Sequence, residues 1–310
     1  MSTATRRVSG AGVSRPLHLR LIEREAPMGY ILLLPTLLVL GTFLAWPFLF
    51  GLWLSVTSAE LSDPGHFIGF GNYNFEFKID HPFWTSFWNT FLYTGVTTVF
   101  KFTLGLSMAL LLNQIFPLQR FVRAALLLPW IIPTVLSTLA WKWMFDPTFS
   151  VVNWVAVHLH LVAAPGPNWF GGTSTAMAAL MIVNTWRGMP FYGIAFLAGL
   201  QTIPLDLYEA ARVDGANRWQ QFLHITLPLL RPVLLVVLLL STILTFADFQ
   251  VPFVLTNGAP YNSTHVLATW AYQWGVPGGA IGLGASVSLV LFPVLSIIIA
   301  GVLVLLRRPE

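Results

Sequence analysis

The sequence contains no cysteine, which excludes a disulfide framework and a thiolate metal site and leaves the redox compartment unreadable. Charge is almost as scarce, at 9% of 310 residues, where an average soluble domain carries about 25%. No Gly-Lys-Ser or Gly-Lys-Thr occurs, so the phosphate-cradling loop of a nucleotide hydrolase is missing. His-Glu-x-x-His, Gly-x-Ser-x-Gly and paired aspartates are missing too, which argues against an intramembrane enzyme and leaves no catalytic residue to assign. There is no tandem repeat and no low-complexity tract. Apolar residues dominate, at 56% with a mean hydropathy of +0.72. A soluble chain of this length would suggest about two domains; this composition points instead to an all-α polytopic membrane protein. The net charge of +4 would suit a nucleic-acid partner, but 12 of the 16 Lys and Arg residues flank apolar spans. That distribution reads as membrane topology, with no nucleic acid involved.

Crossing the hydrocarbon core takes roughly 20 apolar residues, and six runs qualify, near 29–55, 87–112, 123–145, 174–199, 229–254 and 281–306. The segments carrying Arg6, Arg7, Arg15, Arg20 and Arg24, then Arg120 and Arg123, then Arg212, Arg218 and Arg231, and finally Arg307 and Arg308 all fall on one side. Opposite them stand Lys78 with Glu60, Asp63, Glu76, Asp80 and Asp146. The positive-inside bias therefore predicts both termini in the cytoplasm of a multi-pass cell-membrane protein. The expected organisation is a cytoplasmic tail over 1–27, a six-helix body over 28–306 and a short tail over 307–310. The Arg-rich start lacks a separate apolar core followed by a small-residue cleavage site, so it reads as a tail and not a removed signal peptide.

Trp46, Trp84, Trp88, Trp141, Trp143, Trp169, Trp270 and Trp274 lie near predicted outer ends, as expected of rings anchored at headgroup level. Between Asp146 and Gly172, the apolar residues from Val151 to Leu159 suit a short interfacial helix. His158 and His160 on it have no third ligand nearby, so no metal site is assigned.

Between two strongly apolar segments lies Glu209-Ala210-Ala211-Arg212-Val213-Asp214-Gly215, running on to Ile225-Thr226-Leu227-Pro228. Pro204 suits a helix start because its missing N–H would be unpaired there, and Asp206 and Glu209 place negative charge near the positive end of the helix dipole. A helix is expected from near Ile203, stopped by Gly215 in a left-handed conformation after Asp214. Trp219, Phe222, Leu223 and Ile225 give an apolar face to a second helix, which Pro228 is expected to end. The small Ala210 and Ala211 allow a partner surface to approach closely, while Glu209 is placed to meet a cation.

This pattern, seven identities over 20 residues, resembles the cytoplasmic signature loop of permease subunits in binding-protein-dependent ABC importers. Leu34-Pro35, Trp46-Pro47, Asn184-Thr185-Trp186, Pro190-Phe191, Gly199-Leu200-Gln201-Thr202-Ile203-Pro204 and Leu255-Thr256-Asn257-Gly258-Ala259-Pro260 with Thr264 are similar to the carbohydrate branch. The similarity covers residues 28–306 and is to the first of its two permeases, the maltose, glycerol-3-phosphate and trehalose type. Gly258-Ala259-Pro260 stands where the family usually has Gly-Gly-Pro.

The resemblance implies a type I ABC importer permease fold and a non-enzymatic subunit. It implies a second homologous permease, two ATPase subunits that bind the ATP and Mg, an extracytoplasmic solute-binding protein and a sugar as cargo, with no cofactor in this chain. It makes 203–228 the coupling loop, with Glu209, Ala210, Ala211, Asp214 and Gly215 contacting the ATPase. It also places Gly188, Phe191, Ser241, Thr245 and Asp248 along the substrate pathway.

Charges inside a span are functional candidates by default, and here they are Lys101, Arg187 and Asp248, with Lys142 near an outer end. Lys142 reads as snorkelling and Lys101 as structural. Arg187 is placed to reach Asp248, either as an ion pair or as part of the pathway. At a rise of about 1.5 Å per residue, Lys101 and Arg187 lie roughly 20 Å below the outer boundary and Asp248 about 10 Å below it. Ser241, Thr245 and Asp248 fit one helix stripe, and Phe191 or Trp186 suits the apolar face of a pyranose. The alternative is a secondary transporter that uses Asp248 as its ion site.

Overall fold

The computed structural model describes residues 25–78, 82–114 and 117–307. The arginines of the tail before residue 25, Asp80, and Arg308 therefore lie outside the described residues. The chain divides into two compact units, ending and beginning at Trp53 and Leu54.

The first unit is helical. Helix α1 (Glu25–Leu40) passes through a π-helical turn at Gly41–Ala45 into α2 (Trp46–Ser55), whose last two residues belong to the second unit. Pro47 is the second residue after the widened turn. A proline inside an α-helix lacks a donor and its ring crowds the carbonyl four residues back; a π turn relieves both problems by shifting the bonding to five residues.

In the second unit, α3 (Gly71–Glu76) precedes the long α4 (Pro82–Leu112), followed by α5 (Gln119–Ile131) and α6 (Thr134–Met144). Then come α7 (Val151–His158), α8 (Thr173–Leu200), α9 (Leu205–Val213) and α10 (Arg218–Gln221). After a second π turn at Phe222–Thr226 follow α11 (Leu227–Phe246), α12 (Gln250–Leu255), α13 (Leu267–Gly275) and α14 (Ile281–Arg307). Among the described residues the only β pairing is two isolated bridges.

Four stretches are long and apolar enough to cross a bilayer, 28–55, 82–112, 218–246 and 281–305; counting the bent pairs α5–α6 and α8–α9 as spans brings the number to six. Helix α8 alone has 28 residues, and its hydropathy is diluted by Asn184, Thr185 and Arg187. The predicted third span is not one rod, because α5 and α6 meet at 94°. Ile132 is extended (ψ 131°) ahead of Pro133, since a residue before proline is excluded from the helical region.

The fifth span differs at both ends. Pro228 does not end a helix: the π turn absorbs it, and a single 29-residue helix runs from Arg218 to Phe246. The helix then breaks at Ala247–Phe249 before α12, so Asp248 sits in the break and not on the stripe of Ser241 and Thr245.

A core of Met108, Ala109, Leu112, Tyr192, Phe196, Leu197, Leu200, Ile203, Leu230, Leu234 and Val237 joins α4, α8 and α11 at one end. Gly105 lets α4 and α8 approach closely, because a Cβ there would collide with Tyr192; small residues at such interfaces substitute for the hydrophobic drive that lipid removes. At the other end, Phe83, Leu267, Trp270, Ala271 and Val287 form a second cluster.

Trp270 is thus buried, not a headgroup anchor, and its Nε1 donates to Glu76 Oε2 at 3.1 Å. The pairing withdraws both polar groups from lipid and water. Trp143 and Trp88, by contrast, are largely exposed. Burial pushes the Glu76 carboxyl up from 4.5 to about 7, the Trp270 bond opposing it. The buried His265 ring, 5.3 Å from that of Trp270, is pushed down from 6.5 to about 4.

These two groups act on stability with opposite signs. Glu76 holds its proton more tightly folded than unfolded, so its contribution falls as pH rises from 4.5 to about 7. His265 holds its proton less tightly folded, so its contribution falls as pH drops from 6.5 towards about 4. The difference between wild type and Glu76→Gln isolates the carboxyl. The variant is expected to gain in melting temperature relative to wild type between about pH 5 and about pH 8, measured by thermal unfolding in detergent.

Candidate functional site: an exposed elbow and a buried polar relay

The elbow begins where α8 ends and α9 turns away by 70°. Pro204 takes the N-cap position (ψ 132°) and the helix starts at Leu205, two residues after the expected Ile203. At the other end Gly215 has φ +83°; its N–H donates to Arg212 O at 3.1 Å, and the N–H of Ala216 donates to Ala211 O at 2.8 Å. These two bonds are the Schellman closure, which needs a left-handed residue and therefore favours glycine. Asn217 and Gln220 then form a reciprocal capping box that opens α10.

No residue of α9 is buried. Glu209, Ala210, Asp214 and Gly215 are exposed, Ala211 is half-buried and Val213 is 86% exposed. Glu209 meets Arg212 at 3.9 Å in a solvated pair, of little energetic weight. A hollow of about 320 Å³ lies in the bend, lined by Ala211, Asp214, Gly215, Gln221, His224 and Ile225 among others. The elbow is nonetheless held at its base. Tyr208 OH and Thr226 Oγ1 lie 2.9 Å apart in a hydrogen bond, and Ile203, Tyr208 and Ile225 pack on the core shared by α4, α8 and α11. The elbow is therefore joined to the spans through packed side chains.

The second feature is a relay among three spans. Lys101, 2% exposed, donates from Nζ to Asn184 Oδ1 and to Thr245 Oγ1, each at 2.7 Å. Thr245 Oγ1 donates in turn to Ser241 O at 2.7 Å. Asn184 Nδ2 donates to Asp248 Oδ2 at 2.8 Å, and Tyr93 OH donates to the same oxygen at 2.7 Å. The amide stands between cation and anion, with its oxygen towards the lysine and its nitrogen towards the carboxylate. A buried ammonium without such partners would be strongly unfavourable.

Gly188 belongs to this arrangement, because a Cβ there would collide with Lys101 Cδ. Gly188→Ala is expected to push the lysine stem aside and cost about 1–3 kcal/mol, read as a lower unfolding midpoint in detergent.

The predicted pathway residues are only partly united. Gly188, Thr245 and Asp248 surround the Lys101–Asn184 pair, with Ser241 joined through its carbonyl. Arg187 does not reach Asp248; its Nη1 donates to Thr134 Oγ1 at 2.9 Å, and among the described residues no ion pair joins the two. Phe191 stacks on Trp130 at 5.1 Å, and Trp186 meets Trp141 edge-on. Lys101 and Asp248, expected at different depths, are bridged at their side-chain ends by the single Asn184 amide. Lys142 Nζ donates to Val254 O at 3.1 Å from an exposed position. Sequence reasoning missed Asn184 and Tyr93. A polar amide one turn before Gly188 was a usable signal for the first; nothing local marked the second.

Long apolar helices, a surface elbow rooted in their core and an ionic relay between them define a multi-pass membrane protein. A family model described as the binding-protein-dependent transport system inner membrane component matches residues 101–307, and the chain belongs to that family. It is 36% identical to the trehalose/maltose transport system permease protein MalF of Thermococcus litoralis over 88% of this chain and 91% of the relative. To the sulfoquinovosyl glycerol transport system permease protein SmoG of Agrobacterium fabrum it is likewise 36% identical, over 91% of each chain. A bacterial ABC transporter involved in the import of the acidic polysaccharide alginate contains a chain of similar structure, with TM-score 0.79 and 25% identity over 94% of this chain and 98% of that one. The chain is thus a permease component of the cytoplasmic membrane and not an enzyme.

Proposed function

We propose that this chain is one of two homologous permeases in an ATP-driven importer of a sugar or related polyol or oligosaccharide. Both termini lie in the cytoplasm, where the elbow over 203–228 docks on one of two ATPase subunits that bind ATP and Mg. An extracytoplasmic binding protein delivers the cargo, and the chain itself needs no cofactor. The sugar class rests on the names of the relatives. The coupling role rests on one observation above the others: α9 buries nothing of its own while its base is packed into the core of three spans.

Gly188, Ser241, Thr245 and Asp248 contribute to the pathway, with Phe191 and Arg187 at its margin. Because Arg187 is engaged by Thr134, it leaves the half-buried Asp248 carboxylate without a direct cation, which favours a neutral sugar or polyol over a phosphorylated one. The test is uptake by vesicles holding the complete transporter and its binding protein. Transport that needs internal ATP and ignores imposed proton or sodium gradients is the expected result; transport driven by an ion gradient without ATP would move the function to Asp248 as an ion site.

A further inference from the structure

Helix α7 turns much of its apolar surface outward. Val151, Trp154, Val155 and His158, spaced along one helical stripe, are all exposed, while the buried residue is the polar Asn153 and only Val152 beside it packs half-buried on the apolar core. Asn153 is fixed there: its Nδ2 donates to Pro167 O at 3.0 Å and its Oδ1 accepts from Trp169 Nε1 at 2.7 Å, with Trp169 packed on Phe145. Ser150 caps the helix by accepting from the Asn153 N–H at 3.1 Å. The side chains of Ser150 and Asn153 thus fix the helix with Val151, Trp154 and Val155 turned outward beside His158. Phe149, Leu159 and Leu161 extend the exposed surface on either side, and a hollow of about 650 Å³ beside it is walled by Phe149, Val151, Trp154 and Val157, with the polar Asn153 and His158 also on its lining.

Two further observations choose the occupant. From Pro147 to Gly172 the chain has no Asp, Glu, Lys or Arg, where about a quarter of the residues in a water-soluble segment are charged. The segment also directly joins α6, which ends beside the exposed Trp143 and Lys142, to the membrane-spanning α8. Trp and Lys near the end of a span mark the bilayer boundary, so the apolar face adjoins that boundary.

We propose that α7 lies in the plane of the membrane as an interfacial helix, with Val151, Trp154, Val155 and Leu159 buried at the junction of headgroups and acyl chains, and that the adjoining hollow is filled by lipid. Such a helix braces the α6–α8 connection against the leaflet and fixes the height of the broken third span.

The absence of native cysteine makes the test direct. Nitroxide labels on single cysteines replacing Val151, Val155 and Leu159 are placed in the full-length chain, and again in its complete transporter, in nanodiscs of phosphatidylethanolamine and phosphatidylglycerol. Leu240→Cys serves as the mid-span reference and Ser62→Cys as the loop reference. The expected result is collision with oxygen favoured over a water-soluble nickel chelate at all three sites, at a depth shallower than Leu240. Preference for the nickel chelate would place the helix in water and overturn the proposal. Protection from both reagents in the complete transporter would place a partner protein on this face and overturn it equally.

Discussion

Gly215→Pro abolishes uptake by the complete transporter while the variant chain still reaches the membrane in wild-type amount. Proline is confined to φ near −65°, whereas residue 215 stands at +83° and donates its N–H to Arg212 O. The substitution removes that donor and forbids the conformation, so the Schellman closure opens and α9 loses its fixed angle to α10. Insertion is spared because the spans are set by lipid, and Gly215 is exposed, with no neighbouring atom within 4 Å of the place a Cβ would occupy. Gly215→Ala separates strain from steric contact: it meets open space and costs about 1–2 kcal/mol for the left-handed backbone, so uptake falls without vanishing. Glu209→Lys leaves the fold intact, since its pair with Arg212 is solvated, and abolishes uptake by placing a cation where the docking surface expects an anion. Uptake of radiolabelled sugar, normalised to chain in the membrane, reads all three. Wild-type uptake by Gly215→Pro would remove the elbow from the mechanism.

Lys101→Met is the largest expected loss of stability. It leaves Asn184 Oδ1 and Thr245 Oγ1 without their donor and Asp248 without its relayed counter-charge. Breaking one partner of a fully buried ionic network costs about 3–5 kcal/mol, and the loss here falls towards the lower end because the remaining Asp248 carboxylate is only half-buried. Asp248→Asn is expected to destabilise from the opposite end, by leaving the lysine as the uncompensated charge. The double variant is expected to be more stable than the sum of the single losses predicts, as neutral groups of similar shape replace a charged pair. Unfolding midpoints in detergent for the four proteins measure the coupling, and simple additivity would show that Asn184 transmits nothing between the two charges.

The legible parts of this fold were those governed by short-range or bulk physics. Lipid demands long apolar runs, so the spans stood out in composition alone, and the Schellman glycine at 215 is decided within six residues of chain. Breaks inside spans were harder to read. Ile132-Pro133 carried a usable signal, because proline restricts its predecessor, yet prolines at 35, 190 and 293 sit inside continuous helices. Pro228 shows the limit of the local rule, since the π turn that accommodates it leaves no mark in residue type. Glu76 and Trp270 are separated by 194 positions, and Lys101 and Thr245 by 144; nothing in either neighbourhood names the other. Arg187 and Asp248 were matched by opposite charge, but both found neutral partners closer at hand.

Chemical crosslinking of the complete transporter measures the central claim, that α9 is the surface through which ATP hydrolysis acts on the spans. A single cysteine replacing Val213, the most exposed of the large apolar side chains of that helix, is joined through a short photoactivated reagent to whatever lies against it. An adduct with the ATPase subunit whose yield changes between nucleotide-free and ATP-bound states is the predicted result. An adduct only with lipid, binding protein or the second permease, with none to the ATPase, would contradict it.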